Sequence, residues 1–141
     1  MNSSTLKTII TIVLFIHAIG HVQGVLVALG MFSTETWNAK SWLLDGVIGE
    51  KASRFVALIL WLAVTIGFLA VAFAFLGIGL PYGIWRQLAV PLAVIATVGL
   101  ILYWNSFASL LPNKIGALAV NIGIIVGLVF LKWPSEADLG F

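Results

Sequence analysis

Four long apolar runs are the feature that most limits how this chain can fold. They cover residues 6–32, 54–78, 84–107 and 112–133, and each has the roughly 20 residues that a helix needs to cross a ~30 Å hydrocarbon core. The runs are too long and too continuous for the alternating ~10-residue strands of a membrane β-barrel. The sequence therefore predicts an all-α integral membrane four-helix bundle, with residues 1–141 forming a single transmembrane domain.

The composition is typical of a membrane protein. Of the 141 residues, 62% are hydrophobic and 9% are charged, whereas about a quarter of an ordinary soluble domain is charged. A soluble domain of this length would leave long apolar runs facing water. We therefore expect membrane lipids as partners and the inner or plasma membrane of a prokaryote as the location.

The charge pattern and the missing motifs exclude several classes of function. The seven basic and five acidic residues are scattered, so no basic run can follow a phosphate backbone, and nucleic acid is not an expected partner. The absence of cysteine excludes thiolate metal sites and cysteine nucleophiles. The sequence also lacks the G-x-S-x-G, H-E-x-x-H and phosphate-binding glycine patterns, so hydrolase and nucleotide-driven chemistry lack their usual parts.

The regions outside the four runs differ in character. Residues 33–53 mix tryptophan and aliphatic side chains with charged ones, a mixture that suits the lipid headgroup zone. This interfacial segment is expected to be a loop or short helix resting on the membrane; a lid over a cavity is the alternative. The tail of residues 134–141 is short and polar, and we expect it to be mobile.

Two histidines stand out in the middle of the first run. His17 and His21 are the only histidines of the chain and lie four residues apart, which places both on one face of a helix. Gly20 and Gly24 form a small-xxx-small pair that allows another helix to approach closely. The histidines are therefore predicted to point into the bundle, where ionisable groups commonly mark a functional site.

Few side chains on the other runs are suited to contact these histidines. Asn121 is a polar residue deep in the fourth run, Tyr103 lies near one end of the third, and Trp61 lies farther from an interface than the other tryptophans. His17, His21, Asn121, Trp61 and Tyr103 are accordingly the candidate ligand-binding residues. The alternative is structural: neutral imidazoles satisfied by such groups, Asn121 joining two helices, and Trp61 packing in the core.

A metal or haem is the other use that two histidines suggest. His17 and His21 can give two nitrogens to a metal ion, but a catalytic zinc normally takes three protein ligands and a structural zinc four. The missing ligands would have to come from the first connection folded inward or from a second copy of the chain. Two histidines one turn apart cannot lie on opposite sides of one haem, which leaves a single-histidine haem or one shared across a dimer. The sequence leaves the cofactor unknown.

Several short motifs along the chain carry a family resemblance. They are His17-Ala-Ile-Gly-His21 followed by Gly24, then Trp42-Leu-Leu-Asp-Gly, Trp61 and Tyr103-Trp104-Asn105. With them the chain resembles small four-span bacterial membrane proteins of uncharacterised function, some of which are grouped with DoxX-like four-helix proteins. The resemblance implies the architecture and no activity.

The leading functional interpretation is a non-enzymatic membrane protein. It would bind a lipophilic small molecule such as a lipid, sterol or quinone, or act as an accessory subunit of a membrane complex, as a monomer or homodimer. One alternative is a metal- or haem-dependent membrane oxidoreductase that uses His17 and His21. A third interpretation is a small transporter that works by histidine protonation.

Overall fold

Four helical segments long and apolar enough to cross a membrane make up most of the molecule. The structure, a computed structural model, describes residues 2–140, and no strand occurs among them. The four segments, here called spans one to four, are Ser3–Leu29, Glu50–Leu76, Tyr82–Leu102 and Leu110–Phe130. The predicted all-α four-helix membrane bundle is confirmed.

Six α-helices build the spans and the connection after span one. In chain order they are α1 (Ser3–Gly20), α2 (Val22–Leu29), α3 (Leu44–Ile48), α4 (Glu50–Leu76), α5 (Trp85–Leu102) and α6 (Ile115–Ile125). Span one is α1 followed by α2, and the two helices join at His21. In span four, α6 is followed by a wider π-helical turn, Val126–Phe130, and is preceded by a kink in Leu110–Lys114, where Leu111 has φ −119° and ψ 136°.

All four spans end two to five residues before the apolar runs that predicted them, and the ends of spans one and three show why. Span one ends because Gly30 adopts a left-handed conformation with φ 80°. The Gly30 and Met31 N–H groups then donate to the carbonyls of Val27 and Leu26, both at 3.0 Å, which is the pattern of a glycine C-cap. Span three ends at Leu102 because Tyr103 leaves the helical region, with φ −119° and ψ 51°.

The interfacial segment between spans one and two contains the short helix α3 and lies against the end of span three. The Trp42 indole Nε1 donates to the Ile101 carbonyl at 2.8 Å, and the Asn38 backbone N–H donates to the Asn105 carbonyl at 2.8 Å. Trp42 is 71% exposed and Val47 69% exposed. The segment is thus hydrogen-bonded to the end of span three and exposes aromatic and aliphatic side chains. This arrangement fits the predicted position in the headgroup zone.

Helix α4 is the centre of the bundle and packs against α1, α2 and α5. Helix α5 presents small side chains to α4. Its Ala89, Ala93 and Ala96 are fully buried, and their spacing places them on one helix face. Small residues let two helix backbones approach, which is the main source of packing contacts where lipid is the solvent.

Span four is the least buried of the four spans. In the most apolar stretches of spans one to three, 44%, 39% and 33% of the residues are buried, whereas the corresponding figure for span four is 11%. Within α6 only Asn121 is buried. Span four packs mainly on α5 and meets α1 at few points, so a groove remains between spans one and four.

The C-terminal tail folds back onto the bundle instead of extending from it. Leu139 is fully buried and belongs to the same apolar cluster as Leu6 of span one, and the Arg86 guanidinium donates to the Pro134 carbonyl. Ser135 donates to Asp138 through its backbone N–H and its hydroxyl, and these bonds hold the pKa of Asp138 below its ordinary value. The sequence suggested a mobile tail, and the burial of one leucine accounts for the difference.

Candidate ligand site between spans one and four

The two histidines and Asn121 form one buried polar cluster at the groove between spans one and four. The His17 Nε2 atom lies 2.8 Å from the Asn121 Oδ1 atom and 3.3 Å from the His21 Nε2 atom. The exposed fractions of the three residues are 6% for His17, 1% for His21 and 0% for Asn121. The two histidines, one helical turn apart on span one, and the Asn121 amide of span four therefore meet inside the bundle.

Aromatic rings surround this cluster on the side of span two. The His21 ring stacks on Trp61, with centroids 5.7 Å apart and planes 13° apart, and on Phe68 at 5.9 Å and 19°. The Phe107 ring meets His21 edge-on at 6.0 Å, and His17 meets Phe68 edge-on at 4.6 Å. The imidazoles are thus oriented by ring contacts as well as by hydrogen bonds.

Trp61 also fixes the distance between spans one and two. A Cβ atom added at Gly24 would lie 2.6 Å from the Trp61 Cγ atom, so the indole ring lies directly against the α2 backbone. Gly20, one turn earlier, has no neighbouring atom within 4 Å of its Cβ position. The predicted small-residue pair thus has two different environments, since Gly24 receives a side chain and Gly20 faces open space.

A cavity of about 260 Å³ adjoins the histidines. Its lining includes His17, His21 and Gly20 from span one, and Ala117 and Val120 from span four. The lining also includes outward-facing aliphatic side chains, since Ile16 is 65% exposed and Val13 is 40% exposed, and it includes Phe107 and Asn113. The cavity is therefore a groove that is open toward lipid and has a polar patch on one wall.

A second cavity of about 330 Å³ continues this groove toward the N-terminal end of span one. The two cavities share Val13 and Val120 in their linings. The second is lined mostly by aliphatic residues such as Leu6, Ile10 and Ile124, with Trp85 among them. Together the two cavities have the form of an apolar channel along the bundle surface with the histidine cluster near one end.

The five predicted site residues fall into two groups. His17, His21, Asn121 and Trp61 come together. Tyr103 shares an apolar cluster with Trp61, but its hydroxyl makes no bond to the histidines: it donates to the Ser53 carbonyl at 2.7 Å, beside the Ser53 hydroxyl at 3.4 Å. Tyr103 therefore connects the end of span three to the beginning of span two.

Phe68 and Phe107 contact the histidines although the sequence did not single them out. Phe68 lies seven residues after Trp61, two turns along the same helix face, so this spacing was an available signal. Phe107 lies beyond α5 and reaches the cluster only because the turn Trp104–Ser106 redirects the chain. No sequence pattern indicates that turn.

The cluster offers a metal ion two imidazole nitrogens and one amide oxygen. Within residues 2–140 no group of three or more His, Cys, Asp or Glu side chains is placed to hold a metal. A structural zinc needs a fourth ligand, and ligating histidines usually donate their second ring nitrogen to a partner. The His21 Nδ1 atom is buried and makes no such bond with any residue that the structure describes.

Comparison with protein-family models, with curated proteins and with solved structures found no match. The resemblance to DoxX-like four-span proteins therefore stays a prediction from the motifs.

Proposed function

We propose that this membrane protein binds a lipophilic small molecule in the groove between spans one and four, without making or breaking covalent bonds. The observation that carries the proposal is the cavity beside His17 and His21, with mostly apolar walls and one polar patch. Binding sites for small molecules have this composition: apolar surface supplies affinity, and a few polar groups fix orientation. The apolar second cavity gives a hydrocarbon chain room to continue.

The depth of the polar patch distinguishes this groove from an ordinary lipid contact. Phospholipid headgroups lie at the membrane surface, but His17 and His21 lie in the middle of a 27-residue span. A molecule that uses this patch carries a polar group that can enter the hydrocarbon region. That property favours a molecule such as a sterol or quinone over a phospholipid.

The experiment that tests the proposal fills the cavity and measures what the purified protein retains. Gly20→Leu places a side chain in the open space beside the histidines, and native mass spectrometry of wild type and variant measures retained lipophilic molecules. We expect the variant to remain folded and to lose a bound mass that the wild type holds. The matched control is Ile19→Phe, since Ile19 is 61% exposed and lies outside the lining of either cavity. Equal retention by wild type and Gly20→Leu would contradict the proposal.

The separation of the two Nε2 atoms favours a second candidate, a metal-dependent membrane protein. Two nitrogens bound to one tetrahedral zinc at 2.0–2.1 Å lie about 3.3–3.4 Å apart, and the observed separation is 3.3 Å. Further ligands would have to come from a second copy or from a bound molecule. Elemental analysis of the purified protein tests this candidate: stoichiometric zinc, copper or iron that is lost in His17→Leu supports it, and a metal-free protein contradicts it.

A further inference from the structure

The positions of the hydrogens in the cluster follow from the atoms that face each other. A carbonyl oxygen only accepts, so the His17 Nε2 atom facing Asn121 Oδ1 at 2.8 Å carries a hydrogen and donates it. The His21 Nε2 atom lies 3.3 Å from the same His17 Nε2 atom. It therefore presents its lone pair, because two N–H groups facing each other would repel. In a neutral imidazole the hydrogen of His21 is then on Nδ1.

This arrangement leaves three buried donors around the cluster. They are His21 Nδ1–H, the Asn121 Nδ2 amide and the Trp61 indole Nε1–H, and none has a hydrogen-bond partner among residues 2–140. A buried donor without a partner costs about 1–3 kcal/mol. The second ring nitrogen of His17 carries a lone pair and is the one acceptor that the arrangement leaves. The cluster thus has an excess of donors.

The surroundings provide no charge to neutralise an ion. Span one contains Lys7 and span four contains Lys114 as their only charged residues, and both lie well away from the middle of their spans. A charged group bound beside His17 would therefore be desolvated in the hydrocarbon region without a counter-charge, which is strongly unfavourable. The complementary group is consequently uncharged.

Resting on the proposed function, we infer that the molecule bound in this groove carries an uncharged hydrogen-bond acceptor, such as a ketone or quinone carbonyl, that pairs with the buried N–H groups of His21 and Asn121. Asn121 lies next to Val120, which lines the cavity. Because span four is the least buried span, a small outward shift of this span brings the amide to the cavity. A carbonyl oxygen has two lone pairs and can accept from both the His21 Nδ1–H and the Asn121 amide.

Three probes of equal chain length separate the contributions of the head and the tail. 2-Hexadecanone presents an acceptor, 1-hexadecanol presents both an acceptor and a donor, and hexadecane presents neither. Native mass spectrometry of the full chain in detergent, at equal probe concentrations, gives their relative occupancy. We expect the ketone to bind about tenfold more tightly than the alkane, and more tightly than the alcohol, from one to two recovered hydrogen bonds.

Variants assign this preference to the cluster. His21→Phe keeps a ring against Trp61 and removes Nδ1, and Asn121→Leu removes the amide; each is expected to reduce the preference for the ketone over the alkane below about threefold. Thr97→Val is the matched control, because the Thr97 hydroxyl donates to the Ala93 carbonyl at 2.8 Å within span three and Thr97 lies outside the lining of either cavity. It is expected to keep the wild-type preference.

The outcomes distinguish the inference from the proposed function. If all three probes bind equally and Gly20→Leu blocks them, the groove binds lipophiles but the inference about the head is wrong. A higher occupancy for the alcohol than for the ketone would also overturn the inference, since it would mean that the site needs a donor. If Gly20→Leu leaves every probe bound, both fail.

Discussion

Spans one and four form the two walls of the same groove, yet they are held in the bundle in different ways. Span one has 44% of its most apolar stretch buried, and its Leu14 and Ala18 pack in the main apolar cluster. Span four has 11% buried, and Asn121 is the only buried residue of α6. Span one is fixed by side-chain packing. Span four depends on its contacts with α5, on the Asn121–His17 contact at its middle and on attachments at its ends, among them the hydrogen bond from Asn113 to Gln23.

This difference has a physical cause in the solvent. Lipid tails are as apolar as leucine, so helices in a membrane associate through van der Waals packing and hydrogen bonds instead of through apolar burial. A span with few packed side chains therefore has few interactions to lose when it moves. Span four is accordingly the wall of the groove that we expect to move when a ligand binds.

The largest expected effect is on span one. Leu14 is 3% exposed, and Leu14→Ala removes packed atoms without allowing the surrounding helices to fill the space. We expect the free energy of unfolding to fall by about 2–3 kcal/mol, measured by circular dichroism during titration of dodecyl maltoside micelles with sodium dodecyl sulfate. A loss below about 1 kcal/mol would mean that span one is no better packed than span four.

The glycine pair sharpens the comparison within span one. Gly24→Ala places a Cβ atom 2.6–2.8 Å from three atoms of the Trp61 ring, and such overpacking is expected to reduce the free energy of unfolding by about 2 kcal/mol. Gly20→Ala is the matched change one turn away in open space. It is expected to stabilise the helix by about 0.5–1 kcal/mol. Equal effects in the same detergent titration would contradict the different environments of the two glycines.

The glycines also illustrate what the sequence could and could not predict. Hydropathy alone predicts the four spans, because lipid demands about 20 apolar residues per helix, and the spacing of His17 and His21 predicts their shared face. The contact with Asn121 depends on the relative register of spans one and four, which their own sequences do not set. The different environments of Gly20 and Gly24 depend on the position of Trp61, which belongs to span two. Local patterns therefore predict elements and faces, whereas contacts between elements require the structure.

A smaller effect is expected from removing the polar contact of span four. Asn121→Leu leaves His17 Nε2 without the acceptor that lies 2.8 Å away, and hydrogen bonds between membrane helices contribute about 0.6–1.7 kcal/mol. We expect a loss of about 1 kcal/mol in the free energy of unfolding. We also expect faster hydrogen exchange of the α6 amides in lipid nanodiscs, with α4 unchanged as the internal control. Unchanged exchange in α6 would show that the contacts with α5 and the end attachments alone hold span four.

The smallest effect is expected on the outer face of span four. Ile122 follows Asn121 directly and is 48% exposed, so lipid already contacts much of its side chain. Because lipid occupies the space that Ile122→Ala leaves, we expect the free energy of unfolding to change by less than about 0.5 kcal/mol. The same detergent titration measures this change, and repeating it at several protein concentrations adds a second test. A loss above about 1 kcal/mol that grows with protein concentration would mean that a second copy of the chain covers this face. Span four would then be held by a partner, and its low burial within one chain would reflect an interface instead of a movable wall.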